Sequence, residues 1–323
     1  MIIINFNTSY GTRNLGDFII VESVKKEMDF LFRNNFIYEL PTHTPTITTL
    51  QNIDSAVKYE CNKAELKFID GTNIIKKSLF NLHPDWNISL LNKNPYKGAI
   101  LVGAGMDGNF SRVDCYTRFI YAKILSKKYV HSTRDEKTKR FLESIGLQAM
   151  NTGCPTMWSL TDEHCKKIPK NKAKNVVFTL TDYRKDYEKD LELIKILKKN
   201  YAKLYFFAQG SDDENYLNEI LDSNDIEVLH SLEAYREVLS RGNVDHVGTR
   251  LHAGIFALQN RVRSVIIIVD NRARDMKETY NIPSIERNKI NSLNKLINSS
   301  IETRINIDTK CINKWKSQFT KFI

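Results

Sequence analysis

The stretch HVGTRLHAGIFALQN, residues 246–260, sets a glycine, an arginine and a histidine where a strand gives way to a helix. Leu251, Ile255 and Leu258 recur on one helical face, and SVIIIVD (264–270) has the continuous apolar character of a buried parallel strand. A helix start directs unpaired backbone N–H groups outward and attracts anions. Gly248 frees the backbone at the entry, Arg250 carries a planar bidentate fork, and His252, after Leu251, exchanges a proton near neutral pH. The types and spacing therefore describe an anion site with an acid beside it, against the plainer reading of a solvated arginine and a packed histidine. DNRARD (270–275) adds Arg272 and Arg274 after the next strand, and STRDEK places Arg134 after another. Arg134, Arg250 and Arg272 are expected on one carboxyl edge, where ligands of parallel sheets bind.

Two glycine loops accompany this constellation. In NTSYGTRNLGDFII a strand ends near Asn7, and Asn14, Gly16 and Asp17 open a helix with Val21, Val24, Met28 and Leu31 on its apolar face. Gly11 and Gly16 are spaced like a phosphate loop, but Asp17 stands where the lysine of an ATPase belongs, which excludes that reading. Asp17 serves as a helix cap or as a carboxylate facing a ligand. AILVGAGMDGNF matches G-x-G-x-x-G at Gly103, Gly105 and Gly108. No helix opens at Gly108 and no acid follows about 20 residues on, so a dinucleotide site is set aside. Those glycines let a loop approach a ligand closely, or simply turn.

The elements that must position these groups are strands alternating with amphipathic helices, which indicates parallel sheets covered on both faces. Apolar runs at MIIINF, ELKFID, GAILVG, KKYVHS, NVVFTL, KLYFFA, IEVLH and SVIIIVD mark strands. The lysine- and asparagine-rich CKKIPKNKAKN (165–175) reads as a linker. The expected organisation is an α/β chain of two Rossmann-like domains facing a central cleft, 1–168 and 172–295, with a helical tail over 296–323.

Composition narrows the function. The 323 residues, 41% hydrophobic, are globular in character, and no apolar run approaches the roughly 20 residues of a membrane span. MIIINFNTSYGT reads as a first strand and not a signal peptide, so a cytoplasmic protein is expected. Cys61, Cys115, Cys154, Cys165 and Cys311 are scattered and form no C-x-x-C pair, which argues against disulfides and structural zinc. The net charge of +10 favours an anionic partner. A helix-turn-helix or zinc motif is lacking, which argues against nucleic acid. KCINKWKSQFTKFI interleaves lysines with Trp315, Phe319 and Phe322. Such a helix packs its aromatics on the protein body, or lies on an anionic membrane at its inner face.

At these residues the sequence resembles the polysaccharide pyruvyl transferase family. NLGD, FIDGTN, ILVGAG, STRDEKT, LESIG, NTGCP and GTRLHAGIFALQNRVRSVIIIVDNR occur in order over roughly residues 10–285. GTN (71–73) stands where the family often has a glycine pair, and Thr249 replaces the more usual serine. The resemblance implies a fold like that of two-domain B-type glycosyltransferases, with no metal and no cofactor. It implies transfer from phosphoenolpyruvate to two hydroxyls of one sugar of a cell-surface polysaccharide or its precursor, forming a cyclic ketal. The arginine-x-histidine motif, here Arg250 and His252, is associated with the donor phosphate.

Gly248, Thr249, Leu251, Arg134 and Arg272 are expected to complete the donor side. Asn14, Gly16, Asn73 and Gly105 are expected to line the acceptor side. His252 is the expected acid and Asp17 a base toward an acceptor hydroxyl, with an acceptor that the positive charge would suit to a pyrophosphate-lipid link. A glycosyltransferase using a nucleotide sugar is the alternative on the same architecture.

Overall fold

The computed structural model describes residues 1–48, 50–51, 55–80, 86, 88–106, 113–222 and 225–323. The chain divides into two compact units, the first comprising Met1–Thr12, Ile20–Trp158 and Asp308–Ile323, the second Arg13–Ile19 and Ser159–Ile307.

The first unit is built on β1 (Ile2–Asn7), β2 (Phe36–Pro41), β3 (Leu66–Asp70) and β4 (Ile100–Val102), all parallel, in the order β2-β1-β3-β4. The β-branched run Ile2–Ile3–Ile4 suits the central β1, whose residues from Ile3 onward are buried. β5 (His131–Thr133) and β6 (Ala149–Asn151) form a parallel pair that continues from β4 through a bridge between Ala104 and Thr133. Asp114 caps the helix Cys115–Ile124 through the Thr117 N–H at 2.8 Å, and Asp135 caps Glu136–Ser144 through the Thr138 N–H at 2.7 Å. Phe6, Ile69, Leu101, Tyr121 and Phe141 meet in the core.

The tail helix Thr309–Ser317 belongs to this unit. Trp315 and Phe319 are buried, their rings 5.8 Å from Trp158 and 5.1 Å from Phe68 respectively. The tail thus packs these two aromatics on the body, as one of the two sequence readings had it.

The second unit holds β7 (Asn175–Thr179), β8 (Leu204–Phe207), β9 (Glu227–Leu229), β10 (Val244–Gly248), β11 (Ser264–Ile268) and β12 (Ser284–Glu286). They form one parallel sheet in the order β12-β11-β10-β7-β8-β9. The chain winds outward from β7 to β9, returns beside β7 as β10, and winds outward the other way. β7 and β10 therefore flank a topological switch point, where crossovers diverge and leave a crevice beyond the strands' carboxyl ends.

The unit boundaries differ from those read in the sequence. Residues 13–19 join the second unit because the Leu15 N–H donates to the Gln209 carbonyl at 2.8 Å and the Ser211 N–H to the Arg13 carbonyl at 3.1 Å. The stretch 165–175 is part of the second unit, the Lys170 carbonyl accepting from the Ile301 N–H at 2.9 Å and its ammonium pairing with Glu302 at 3.1 Å. The tail is split, its first part staying with the second unit and Asp308–Ile323 returning to the first.

Asp70, the last residue of β3, is fully buried and accepts from Asn5 Nδ2 at 2.9 Å. Burial pushes its carboxyl up to about 8. An unfolded Asp titrates near 3.9, so between about pH 4 and 8 the folded chain holds the extra proton, and raising pH through that window disfavours folding. In Asp70→Asn that contribution is removed. The melting temperature of the variant is expected to fall less than that of wild type between pH 5 and 8, while parallel profiles would refute the assignment.

Candidate active site

The switch point of the second unit gathers the opening motif. Gly248 ends β10 opposite Thr179, so close that an added Cβ would lie 2.2 Å from Thr179 Oγ1. The Thr249 N–H donates to the Thr179 carbonyl at 3.0 Å, and its hydroxyl lies 2.8 Å from Thr181 Oγ1. Arg250 then occupies the N-cap position of the helix Leu251–Gln259, its own N–H donating to Thr179 Oγ1 at 3.1 Å. Leu251 and His252 form the first turn, with His252 8% exposed.

The Arg250 fork is committed to protein carboxylates. Nε donates to Asp213 Oδ2 at 2.9 Å, Nη2 donates to Asp213 Oδ1 and, at 2.6 Å, to Asp182 Oδ1. Arg250 and Asp213 side chains are 4% and 0% exposed. Burial works against the guanidinium charge, but hydrogen bonding and attraction to Asp213 hold its pKa above the ordinary arginine value. Gly210 makes the approach feasible, because a Cβ there would sit 2.2 Å from Arg250 Nη2. The sequence expectation of a fork open to an anion is thus corrected: a buried carboxylate occupies it, and the arginine anchors the helix mouth instead.

Gln209, absent from the sequence reading, ties two helix starts together. Its Oε1 accepts from the Ala253 N–H at 3.0 Å, and its Nε2 donates to Asn14 Oδ1 at 2.8 Å. Asn14 Oδ1 also accepts from the Gly16 N–H at 3.0 Å, capping the helix Leu15–Glu27. Asp17 lies in the first turn of that helix, half-buried. Asn14, Gly16 and Asp17 therefore stand in the same unit as Arg250 and His252, not in the facing domain that the sequence suggests.

Next along the edge lies Tyr183, just after β7. Its ring is 4.9 Å from the Arg250 guanidinium carbon, and its hydroxyl accepts from Arg272 Nη2 at 3.0 Å. Arg272 also pairs with Asp270, the N-cap of the helix Asn271–Tyr280, at 2.9 Å, with its side chain 40% exposed. Exposed Arg184 stands 5.9 Å from the Tyr183 ring and forms no ion pair among the described residues. Arg274 faces Glu286 at 2.9 Å. Asp182, Tyr183, Arg184, Gln209 and Asp213 escaped the sequence reading, although all follow the carboxyl ends of β7 or β8.

Arg134, Asn73 and Gly105 are brought together elsewhere, at the carboxyl ends of β5, β3 and β4 of the first unit. Arg134 Nη2 donates to Asn73 Oδ1, and its Nε lies 3.7 Å from Asp135. A Cβ at Gly105 would fall 2.2 Å from Arg134 Nε, so the glycine makes room for the arginine. The expectation of three arginines on one sheet edge is corrected accordingly: Arg250 and Arg272 share an edge, and Arg134 belongs to a different sheet. Gly108 lies outside the described residues. Among the described residues, no three His, Cys, Asp or Glu side chains are grouped to hold a metal ion.

Comparison with solved structures finds the same fold at low identity. S. aureus MnaA in complex with UDP matches with a TM-score of 0.55 and 11% identity, over 100% of this chain and 97% of that one. UDP-GlcNAc 2-epimerase from Neisseria meningitidis, bound to UDP-GlcNAc, matches with a TM-score of 0.51 and 13% identity, over 100% and 99%. At such identity the likeness is one of fold, a GT-B-like α/β architecture with Rossmann-like parallel sheets. No curated protein matches the sequence. The family model for polysaccharide pyruvyl transferase matches residues 14–271, spanning both helix starts and the arginine-x-histidine turn. The chain belongs to the polysaccharide pyruvyl transferase family.

Proposed function

We propose that this chain transfers the carbon skeleton of phosphoenolpyruvate to two hydroxyls of one sugar in a cell-surface polysaccharide or its precursor. The observation that carries the reading is His252 in the first turn of the helix that follows β10 at the switch point, on the same carboxyl edge of the sheet as the Tyr183–Arg272 pair after β7 and β11. A donor bearing a phosphate and a carboxylate suits a helix start edged with guanidinium groups.

One sugar hydroxyl adds to C2 as C3 takes a proton. The bond from C2 to the phosphate oxygen then breaks, phosphate leaves with the electron pair, and the second hydroxyl oxygen bonds to C2 and gives up its proton. The products are the cyclic ketal and inorganic phosphate. His252 delivers a proton, to C3 or to the departing phosphate. The helix start at Leu251 and His252 faces the phosphate, with Arg272 and Arg184 stabilising its charge and that of the carboxylate. Arg250 acts as a positioning residue, and Asp17 is the base toward an acceptor hydroxyl. Asn73, Gly105 and Arg134 serve the acceptor, and the arginine suits a pyrophosphate-linked sugar.

Thermal unfolding with phosphoenolpyruvate, phosphate, UDP-sugars and CMP-sugars tests the donor. A ligand at about 100 times its dissociation constant adds roughly 2.7 kcal/mol, a rise of several degrees. Stabilisation by phosphoenolpyruvate that is lost in Arg272→Ala is expected. Stabilisation by a nucleotide sugar alone would replace this reading with glycosyl transfer.

A further inference from the structure

The opposite end of the first unit's sheet carries a second charged feature, independent of the donor chemistry. β1, β2, β3 and β4 are parallel, so Ile2, Phe36, Leu66 and Ile100 all begin at one edge. Asn73, Gly105 and Arg134 stand beyond the other edge, roughly 15 Å away at about 3.3 Å per residue. At the amino edge a cavity of about 660 Å³ is lined by Lys67, Lys97, Lys123, Lys127, Lys128 and Tyr129.

Among the described residues none of these five lysines forms an ion pair. Lys67 is buried and donates to the Pro95 carbonyl at 2.9 Å, while burial and the nearby Lys97 charge lower its pKa. Glu65 also lines the cavity, and its carboxylate accepts from the Ile2 N–H at 2.9 Å. The cavity is thus left strongly cationic.

Apolar side chains project from the same edge. Phe36 is 70% exposed, Ile323 63% and Met1 36%. They are neighbours: the Phe36 N–H donates to the Met1 carbonyl at 3.1 Å, and Asn35 Nδ2 donates to the Phe322 carbonyl at 3.4 Å. Phe322 connects them to the cavity, its ring 6.4 Å from that of Tyr129, with Lys321 5.9 Å above the Tyr129 ring.

We propose that this amino edge docks on an anionic lipid bilayer, with lipid phosphates drawn to the lysine cavity and Phe36 and Ile323 entering the headgroup layer. Charge complementarity selects an anionic partner. The exposed apolar side chains beside the lysines select a bilayer over a soluble polyanion, since only a bilayer rewards both. No helix among the described residues is long and apolar enough to cross a membrane, and the docking proposed is to the bilayer surface. It also differs from the sequence-based picture of an aromatic helix lying on the lipid, because Trp315 and Phe319 are buried in the protein.

Sedimentation of the full chain with vesicles tests this, using phosphatidylcholine alone and an equal mixture with phosphatidylglycerol. Binding to the mixed vesicles that weakens with salt is expected, with little binding to phosphatidylcholine. At roughly fivefold per lysine, the triple variant Lys97→Glu, Lys127→Glu, Lys128→Glu should bind at least about 100-fold more weakly. All three are exposed, and an unchanged melting temperature would verify folding. Phe36→Ser should also weaken binding several-fold. Equal binding to both vesicles, or an unaffected triple variant, would overturn the proposal. So would full competition by inorganic polyphosphate with Phe36→Ser unaffected, which would mark a soluble-anion site instead.

Discussion

Replacement of His252 by alanine is expected to lower turnover about 100-fold or more while phosphoenolpyruvate binding survives. General acid–base groups contribute roughly 10²–10⁴ in rate, and a group acting mainly in the transition state changes kcat more than donor affinity. His252 sits beside the helix mouth, whereas the other switch-point contacts, from Thr179, Thr249, Arg250 and Gln209, do not use its side chain. An unchanged melting temperature would verify that the variant folds. Single-turnover rates and donor titration by calorimetry separate the two effects. Near-normal turnover would remove His252 from the mechanism.

Arg250→Ala should behave differently, because the structure makes that side chain a buried partner before any ligand arrives. Removing it strands Asp213, which is fully buried, along with the Asp182 contact. Loss of one partner from a buried ion pair costs about 3–5 kcal/mol. For a chain of this size that is a fall of about 4–7 °C in melting temperature without ligand. Arg272→Ala removes a side chain 40% exposed, whose pair with Asp270 should contribute at most about 1 kcal/mol. It is expected to leave the melting temperature within a few degrees while losing donor stabilisation. A small change in Arg250→Ala together with complete loss of donor binding would instead make Arg250 a direct phosphate ligand.

The contrast between these arginines shows where sequence reading stops. The strand-to-helix passage at 246–260 was legible because glycine, helical periodicity and the apolar run of β11 all agree on it. The partner of Arg250 was not, since Asp213 lies 37 residues away and in GSDDEN reads as one more acid at a helix start. Gln209 is similarly silent: a lone glutamine after β8 has no spacing that announces a bridge between two helix starts.

Strands with long apolar runs were readable, while β2, β6 and β12 were not among the expected runs. β2 is a partly exposed edge strand with mixed polarity. The unit boundaries were hidden for a related reason. Residues 13–19 and 308–323 follow long-range hydrogen bonds and aromatic packing, which local composition does not encode.

The central claim is phosphoenolpyruvate-dependent ketal formation, and the most direct measurement follows both products together. The chain would be incubated with phosphoenolpyruvate and a panel of sugars, free and pyrophosphate-lipid-linked, with phosphate and sugar products followed by ³¹P and ¹³C NMR. The expected result is phosphate and a cyclic pyruvate ketal appearing in equal amounts, only when donor and acceptor are both present, and at least about 100-fold more slowly in His252→Ala. Consumption of a nucleotide sugar with phosphoenolpyruvate left intact would contradict it.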